Sequence, residues 1–160
     1  MDYLREKEER IPKIEYGSKL KPFFSPLFEL DGFVYVTQIT SKKERHKTMK
    51  NSLDFIKIYY ENGNLIGAVN LNYMFPVPKN LIIEITGSNI EKYRSFDSEI
   101  EKSKYLNLLK HEMKEILKNS IEEKAKKIYE IKQTKPQHVV SKRCLDFKKL
   151  EIEAKNYKEV

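Results

Sequence analysis

Tryptophan is absent and cysteine occurs once, at Cys144. A single thiol excludes an internal disulfide and a multi-cysteine zinc site, so the core must hold the fold. No nucleophile signature surrounds Cys144, which reads as a small buried hydrophobe. The three histidines, His46, His111 and His138, lack metal-ligand spacing. Only five glycines are present, none in a Gly-x-Gly pattern, so no phosphate-cradling loop is visible. No apolar run approaches the length that spans a bilayer, and the charged N-terminus is unlike a signal peptide. Repeats and low-complexity tracts are also missing. The carboxylates are scattered among lysines, which gives paired-carboxylate catalysis no support. These absences point to a soluble chain in a reducing compartment, the cytoplasm, with no metal or small-molecule cofactor.

What is present is positive charge. Of the 160 residues 34% are charged, and the net charge is +7. The excess is carried by the two ends of the chain, with a slightly acidic middle. Such a balance favours a polyanionic partner, nucleic acid before membrane. The length suits one domain over residues 1–160.

The densest signal is the stretch 33–47. Phe33 to Ile39 is β-branched and aromatic and reads as a strand. It runs into a polar loop holding Thr40 and Ser41, then Lys42, Lys43, Arg45 and Lys47 with His46, against Glu44 alone. A rigid strand that delivers hydroxyls and cations suits a phosphodiester. A solvated turn after an edge strand would have the same composition, and composition does not separate the two.

Around this stretch the first 86 residues read as about five strands. Phe23–Leu30 and Phe33–Ile39 flank Asp31-Gly32, and Leu53–Tyr60 and Leu65–Leu71 flank a turn with Asn62-Gly63; both are strong hairpin signals. Pro26 argues for an edge position or a bulge in the first strand. Residues 12–22 read as a loop, 74–78 as an extended connection, and 81–85 as a short apolar strand. Helices are expected over 98–158. Ser98 with Glu101, and Ser120 with Glu123, look like capping boxes. Tyr105, Leu108, Leu109, Met113, Ile116 and Leu117 form an apolar stripe that only Glu112 interrupts. Cys144–Phe147 is expected to return to the sheet or pack under it. The class is α+β, a compact twisted antiparallel sheet or small barrel with a helical C-terminal half packed on it.

RNA cleavage by transphosphorylation needs a group to take the 2′-hydroxyl proton, cations for the phosphorane and a proton for the leaving oxygen. The loop 40–47 holds these types. If 23–30 pairs antiparallel with 33–39, Lys21 falls near Ser41 at the open end of the hairpin. His46 is then either a structural strut or a proton carrier. Lys19, Asn72 and the basic C-terminal residues, including Lys142 and Arg143, are candidate RNA contacts. A non-catalytic RNA-binding module would use the same groups.

Several stretches in order carry a family resemblance: Tyr3-Leu4-Arg5 with Arg10-Ile11-Pro12; Lys21-Pro22-Phe23 leading to Leu27-Phe28-Glu29-Leu30-Asp31-Gly32; Tyr35, then Ile39-Thr40-Ser41-Lys42-Lys43 with His46; Gly67 to Val77; Tyr105 with Leu108-Leu109-Lys110; and Cys144-Leu145-Asp146-Phe147. The chain resembles the ToxN/AbiQ family of type III toxin–antitoxin endoribonucleases, including its CptN branch. The resemblance implies a sheet core like that of the MazF/Kid toxins. It implies metal-independent RNA cleavage leaving a 2′,3′-cyclic phosphate and a 5′-hydroxyl, with cellular or phage RNA as substrate and a role in phage defence. It further implies an RNA antitoxin of pseudoknotted repeats that binds the toxin and closes an RNA–protein assembly. The family's Thr-Ser-x-Lys loop falls on Thr40, Ser41 and Lys43, its basic residue on Lys21, and its loop histidine on His46. Lys42, Arg45 and Lys47 lie beside them as RNA contacts. Two departures stand out. Lys42 occupies a position where relatives usually have proline, and relatives usually carry a strand and an aromatic turn ahead of Met1. A tyrosine from that turn is therefore unassigned, with Tyr16 as a partial substitute.

Overall fold

Asp31 and Gly32 both adopt left-handed backbone, with φ of 50° and 83°. Two consecutive positive φ values make the tight turn whose twist matches the flanking strands. It joins β3 (Phe24–Leu30) to β4 (Phe33–Thr37) as an antiparallel hairpin. The computed structural model describes residues 2–16 and 19–157, with Tyr16 described in its backbone only. Ahead of the hairpin lie helix α1 (Asp2–Lys7) and two short paired strands, β1 (Glu15–Tyr16) and β2 (Lys19–Leu20). The loop expected over 12–22 thus contains a small antiparallel pair.

The run 33–39 is not one strand. It breaks at Gln38, and β5 (Ile39–Ser41) pairs in a different sheet. One sheet has the order β3-β4-β8, with β8 at Phe75–Pro78. The other has the order β5-β7-β6, with β6 at Phe55–Tyr59 and β7 at Leu65–Asn70. All these pairs are antiparallel. Pro26 lies in a register break of β3, which is an edge strand; edge and bulge both tolerate the missing N–H.

Two expectations are corrected. Residues 74–78, read as a connection, include β8, which pairs with β4 through Pro76 and Pro78 because an edge strand needs N–H groups on one side only. Residues 81–85, read as a strand, form none: Ile83 is 63% exposed, and β8 already occupies the free edge of β4.

The helices follow. α2 (Glu44–Thr48) is a single short turn after the basic loop. α3 (Glu99–Lys118) starts at Ser98, whose hydroxyl accepts the Glu101 N–H, a cap worth about 1 kcal/mol. α4 (Ile121–Thr134) does not start with the expected box: Ser120 is left-handed, with φ 53°, and its side chain makes no cap. The turn from α3 into α4 uses that conformation instead. α5 (Val139–Arg143) and α6 (Phe147–Asn156) complete the chain. Cys144, Leu145 and Phe147 are buried, and the Leu145 N–H donates to the Asn72 carbonyl, so this segment packs against the sheet without joining it. The core gathers Tyr35, Phe75, Val69 and Ile58 from the strands with Ile121, Ile128, Phe147 and Leu150 from the helices. Burying each large apolar side chain contributes about 1.5–3 kcal/mol. The Tyr35 and Tyr129 hydroxyls and Lys148 all donate to the Glu151 carboxylate, so this buried charge is satisfied.

Candidate active site

β5 positions the loop by pairing with the middle strand of its sheet. Thr40 stands opposite Ala68 and Ser41 opposite Gly67, and the Lys42 N–H donates to the Ile66 carbonyl at 3.0 Å. The pairing demands glycine at 67. A Cβ there would lie 2.3 Å from the Thr40 carbonyl oxygen, well inside contact distance. Strand alternation sends the Thr40 and Ser41 side chains to opposite faces; Ser41 is exposed and Thr40 half-buried.

Lys21 reaches Ser41 from the other side of the corner. Its ammonium stands 3.4 Å from the Ser41 hydroxyl, so the juxtaposition expected from hairpin register is present. The backbone beneath Lys21 is held at every polar group. Its N–H donates to the Ile14 carbonyl at 2.7 Å, and its carbonyl accepts Gln38 Nε2 at 2.8 Å. The preceding Leu20 carbonyl accepts both an Arg94 guanidinium N–H and the Tyr105 hydroxyl. Arg94 in turn lies 3.9 Å over the Tyr105 ring. Gln38 therefore turns the chain between the two sheets and fixes Lys21 with the same side chain.

His46 lies inside the protein. It is 0% exposed, with its ring 5.6 Å from that of Phe55. Its Nδ1 accepts the Lys43 N–H at 3.3 Å, and its own N–H donates to the Lys43 carbonyl at 2.9 Å. This reciprocal pair closes the turn that carries Lys43. An accepting Nδ1 places the ring proton on Nε2, a buried atom without a partner among the described residues. Burial first, then the charges of Arg45, Lys43 and Lys57, push the imidazole below its ordinary pKa. His46 lies beneath the loop and holds the Lys43 backbone at both its N–H and its carbonyl. Its burial was not legible among so many polar neighbours.

Glu112 is the group that sequence reading passed over. It is 8% exposed, on the inner face of α3. Burial pushes its carboxyl up to about 7, against the opposing pull of Lys21 and then His111. Lys21 moves the other way: burial lowers its pKa, Glu112 opposes this, and the Lys43 charge adds to it. Both partners are shifted toward neutrality, so desolvation outweighs their attraction. The Lys21 ammonium beside the Ser41 hydroxyl, with the Lys43 charge close enough to act on it, forms a place where an anion is stabilised. The signal for Glu112 was its interruption of the apolar stripe.

The other sequence candidates divide. Lys19, Lys42, Lys43 and Arg45 are exposed. Lys47 pairs with Glu44 at 2.8 Å, and its carbonyl accepts Lys57 Nζ. The Tyr16 side chain lies outside the described residues. Asn72 is 8% exposed and sits past the C-terminal end of β7, away from Gly67 and Ser41. Arg143 is exposed, and its guanidinium also holds the buried Asp54 carboxylate through two hydrogen bonds of 2.9 and 3.0 Å. Lys142, beside it on α5, is exposed.

The comparisons with known proteins agree with this architecture. The sequence pattern of the family described as Toxin ToxN, type III toxin-antitoxin system, matches residues 1–155. The chain is similar to Endoribonuclease ToxN of Bacillus thuringiensis subsp. kurstaki, with 28% identity over 166 residues, covering 99% of this chain and 80% of that protein. It is also similar to Endoribonuclease ToxN of Pectobacterium atrosepticum, with 32% identity over 83 residues, covering 48% of each. Among solved structures, one of a type III toxin–antitoxin system with selective toxin inhibition by a non-coding RNA pseudoknot superimposes with a TM-score of 0.75 at 27% identity, over 99% of this chain and 92% of that one. The structure of AbiQ, a lactococcal anti-phage endoribonuclease, superimposes with a TM-score of 0.75 at 20% identity, over 98% and 90%; that likeness concerns the fold. With the family pattern running from the first residue to within α6, the chain belongs to the ToxN family of type III toxin–antitoxin toxins.

Proposed function

We propose that this chain is an endoribonuclease toxin, silenced by direct binding of a structured, pseudoknotted RNA antitoxin and acting in phage defence. The observation that carries the reading is the 3.4 Å approach of Lys21 to Ser41 on a loop that Lys43 completes. The family membership and the endoribonuclease relatives support it.

In this reading the scissile phosphate of cellular or phage RNA rests against Ser41, with Lys21 and Lys43 neutralising the charge that grows on the phosphorane. Thr40 supports the strand end that presents Ser41. His46 sets the loop by holding the Lys43 backbone. The reaction is transphosphorylation without a metal, leaving a 2′,3′-cyclic phosphate and a 5′-hydroxyl. Lys19, Lys42, Arg45, Lys47 and Lys142 contribute phosphate contacts, so binding weakens as salt rises. The same surface takes the antitoxin, and repeats of that RNA close an RNA–protein assembly. Residues 1–160 act as one domain in the cytoplasm. The two sheets hinged at Gln38 make a twisted core akin to that of the MazF/Kid toxins.

The test is expression of Ser41→Ala and Lys43→Ala variants in a growth assay. Folded variants that no longer arrest growth support the assignment, and folded variants as toxic as wild type refute it. Retained RNA binding by a wild-type protein that never cleaves would identify a non-catalytic binding module instead.

A further inference from the structure

Helix α3 is tied to the strand half of the protein by two side-chain hydrogen bonds. Near its start the Tyr105 hydroxyl donates to the Leu20 carbonyl at 3.2 Å, next to Lys21. Further on, His111 Nε2 meets the Tyr59 carbonyl at 2.9 Å, one residue beyond Ile58. Ile58, Gly67 and Ser41 stand in one row across the sheet. The helix therefore passes from the backbone that carries Lys21 to the β6 edge of the sheet, two strands across from Ser41, and Glu112 follows His111.

Three glutamates of the helices are largely buried: Glu112, Glu115 and Glu151. Two have ordinary explanations. Glu151 accepts from Tyr35, Tyr129 and Lys148, and Glu115 pairs with Lys118 at 3.5 Å. Glu112 takes no hydrogen bond from the described residues. The charged or titratable groups that face it are Lys21, His111 and Tyr105. A buried carboxyl costs stability unless it is used or paired. Glu112 lies two turns along α3 from Tyr105, whose hydroxyl is bonded to the Leu20 carbonyl, and it acts electrostatically on Lys21, the lysine that reaches the site hydroxyl.

We propose that Glu112 is the general base that removes the 2′-hydroxyl proton of the RNA strand bound at Lys21 and Ser41, an assignment that rests on the endoribonuclease reading above. The 2′-hydroxyl proton passes to the Glu112 carboxylate and the 2′ oxygen bonds to phosphorus. The bond from phosphorus to the 5′ oxygen breaks, and its electron pair leaves on that oxygen. A lysine ammonium or water protonates the departing oxygen to a 5′-hydroxyl, and the phosphate remains as the 2′,3′-cyclic diester. No co-reactant enters. The carboxyl's upward shift to about 7 suits the task, because a base is most effective when its pKa lies near the working pH.

The test compares wild type and Glu112→Gln in single-turnover cleavage of a mixed-sequence RNA across pH. It also measures binding of the same RNA carrying 2′-O-methyl groups, which cannot be cleaved. The wild-type rate is expected to rise with pH through neutrality, and Glu112→Gln to lose about 100-fold in rate together with that rise. Binding of the methylated RNA should change by no more than about threefold, separating chemistry from docking. Glu112→Gln cleaving within about threefold of wild type, with an unchanged pH profile, overturns the proposal. Should Glu112→Gln fail to fold, the wild-type profile decides: no rising limb between about pH 6 and 8 overturns it. A wild type that binds RNA but cleaves none overturns the endoribonuclease reading itself, a different result.

Discussion

The ammonium nitrogen of Lys21 and the hydroxyl oxygen of Ser41 lie 3.4 Å apart across 20 residues of chain, one at the end of a short strand pair and the other past a sheet corner. Because the Lys21 backbone is fully hydrogen-bonded, its side chain can change without moving its neighbours. Lys21→Met is therefore expected to fold like wild type and to lose cleavage by about 10²–10³-fold, the usual loss when one stabilising donor is removed. Single-turnover rates with circular dichroism check this; a folded Lys21→Met with wild-type rates contradicts it.

Gly67 is the spacer behind Ser41. Gly67→Ala drives a Cβ against the Thr40 carbonyl, and backbone cannot yield as a side chain would. The expected cost is about 1–3 kcal/mol, with β5 displaced and activity lost. Denaturant titration and a cleavage assay on the same sample measure both. Wild-type stability would show that the strands separate freely and that the register does not fix the site.

His46 separates two roles by one pair of substitutions. Asn offers an oxygen near the place of Nδ1 and accepts the Lys43 N–H, whereas Leu offers none. His46→Asn is expected to keep activity within about tenfold and His46→Leu to lose more than that, together with about 1–3 kcal/mol from the unsatisfied N–H. Loss of activity in a well-folded His46→Asn would instead make the imidazole a proton carrier. The folded state disfavours imidazolium, so its stability contribution is present above the ordinary histidine pKa and declines as pH falls below about 6.5.

Glu112 has the opposite sign of linkage. Its folded pKa, about 7, lies above the ordinary carboxylate value of 4.5, so the folded state holds the proton more tightly than the unfolded chain. Its contribution is present below about pH 4.5 and declines as pH rises toward 7. Glu112→Gln lacks this penalty. Relative to wild type it is expected to gain on the order of 2–3 kcal/mol in stability between about pH 5 and 8, while losing activity. Thermal melts across pH test this, and parallel curves for the two proteins would contradict it.

The two tight hairpins were legible because Asp31-Gly32 and Asn62-Gly63 specify their turns. The Lys21–Ser41 contact was legible for the same reason, since hairpin register brings the flanking residues together. The corner at Gln38 was not, because an unbroken apolar run does not reveal that its last residues pair in a second sheet. Pro76 and Pro78 hid β8, and the apolar 81–85 looked like the strand that β8 had displaced. The burial of His46 was hidden by its polar neighbours, since only the packing of Phe55 against it decides it; Glu112 read as a break in the apolar stripe of α3, and the stripe alone does not tell a buried carboxyl from an exposed one. The Arg143–Asp54 pair was not legible, because its partners lie 89 residues apart.

The central claim is that this chain cuts RNA at the Lys21–Ser41 site. The most direct measurement incubates purified wild type and Ser41→Ala with a mixed-sequence RNA in EDTA, followed by end-group analysis. The expected result is fragments with 2′,3′-cyclic phosphate and 5′-hydroxyl ends from wild type alone. Intact RNA in both samples, or equal cleavage by a folded Ser41→Ala, would contradict it.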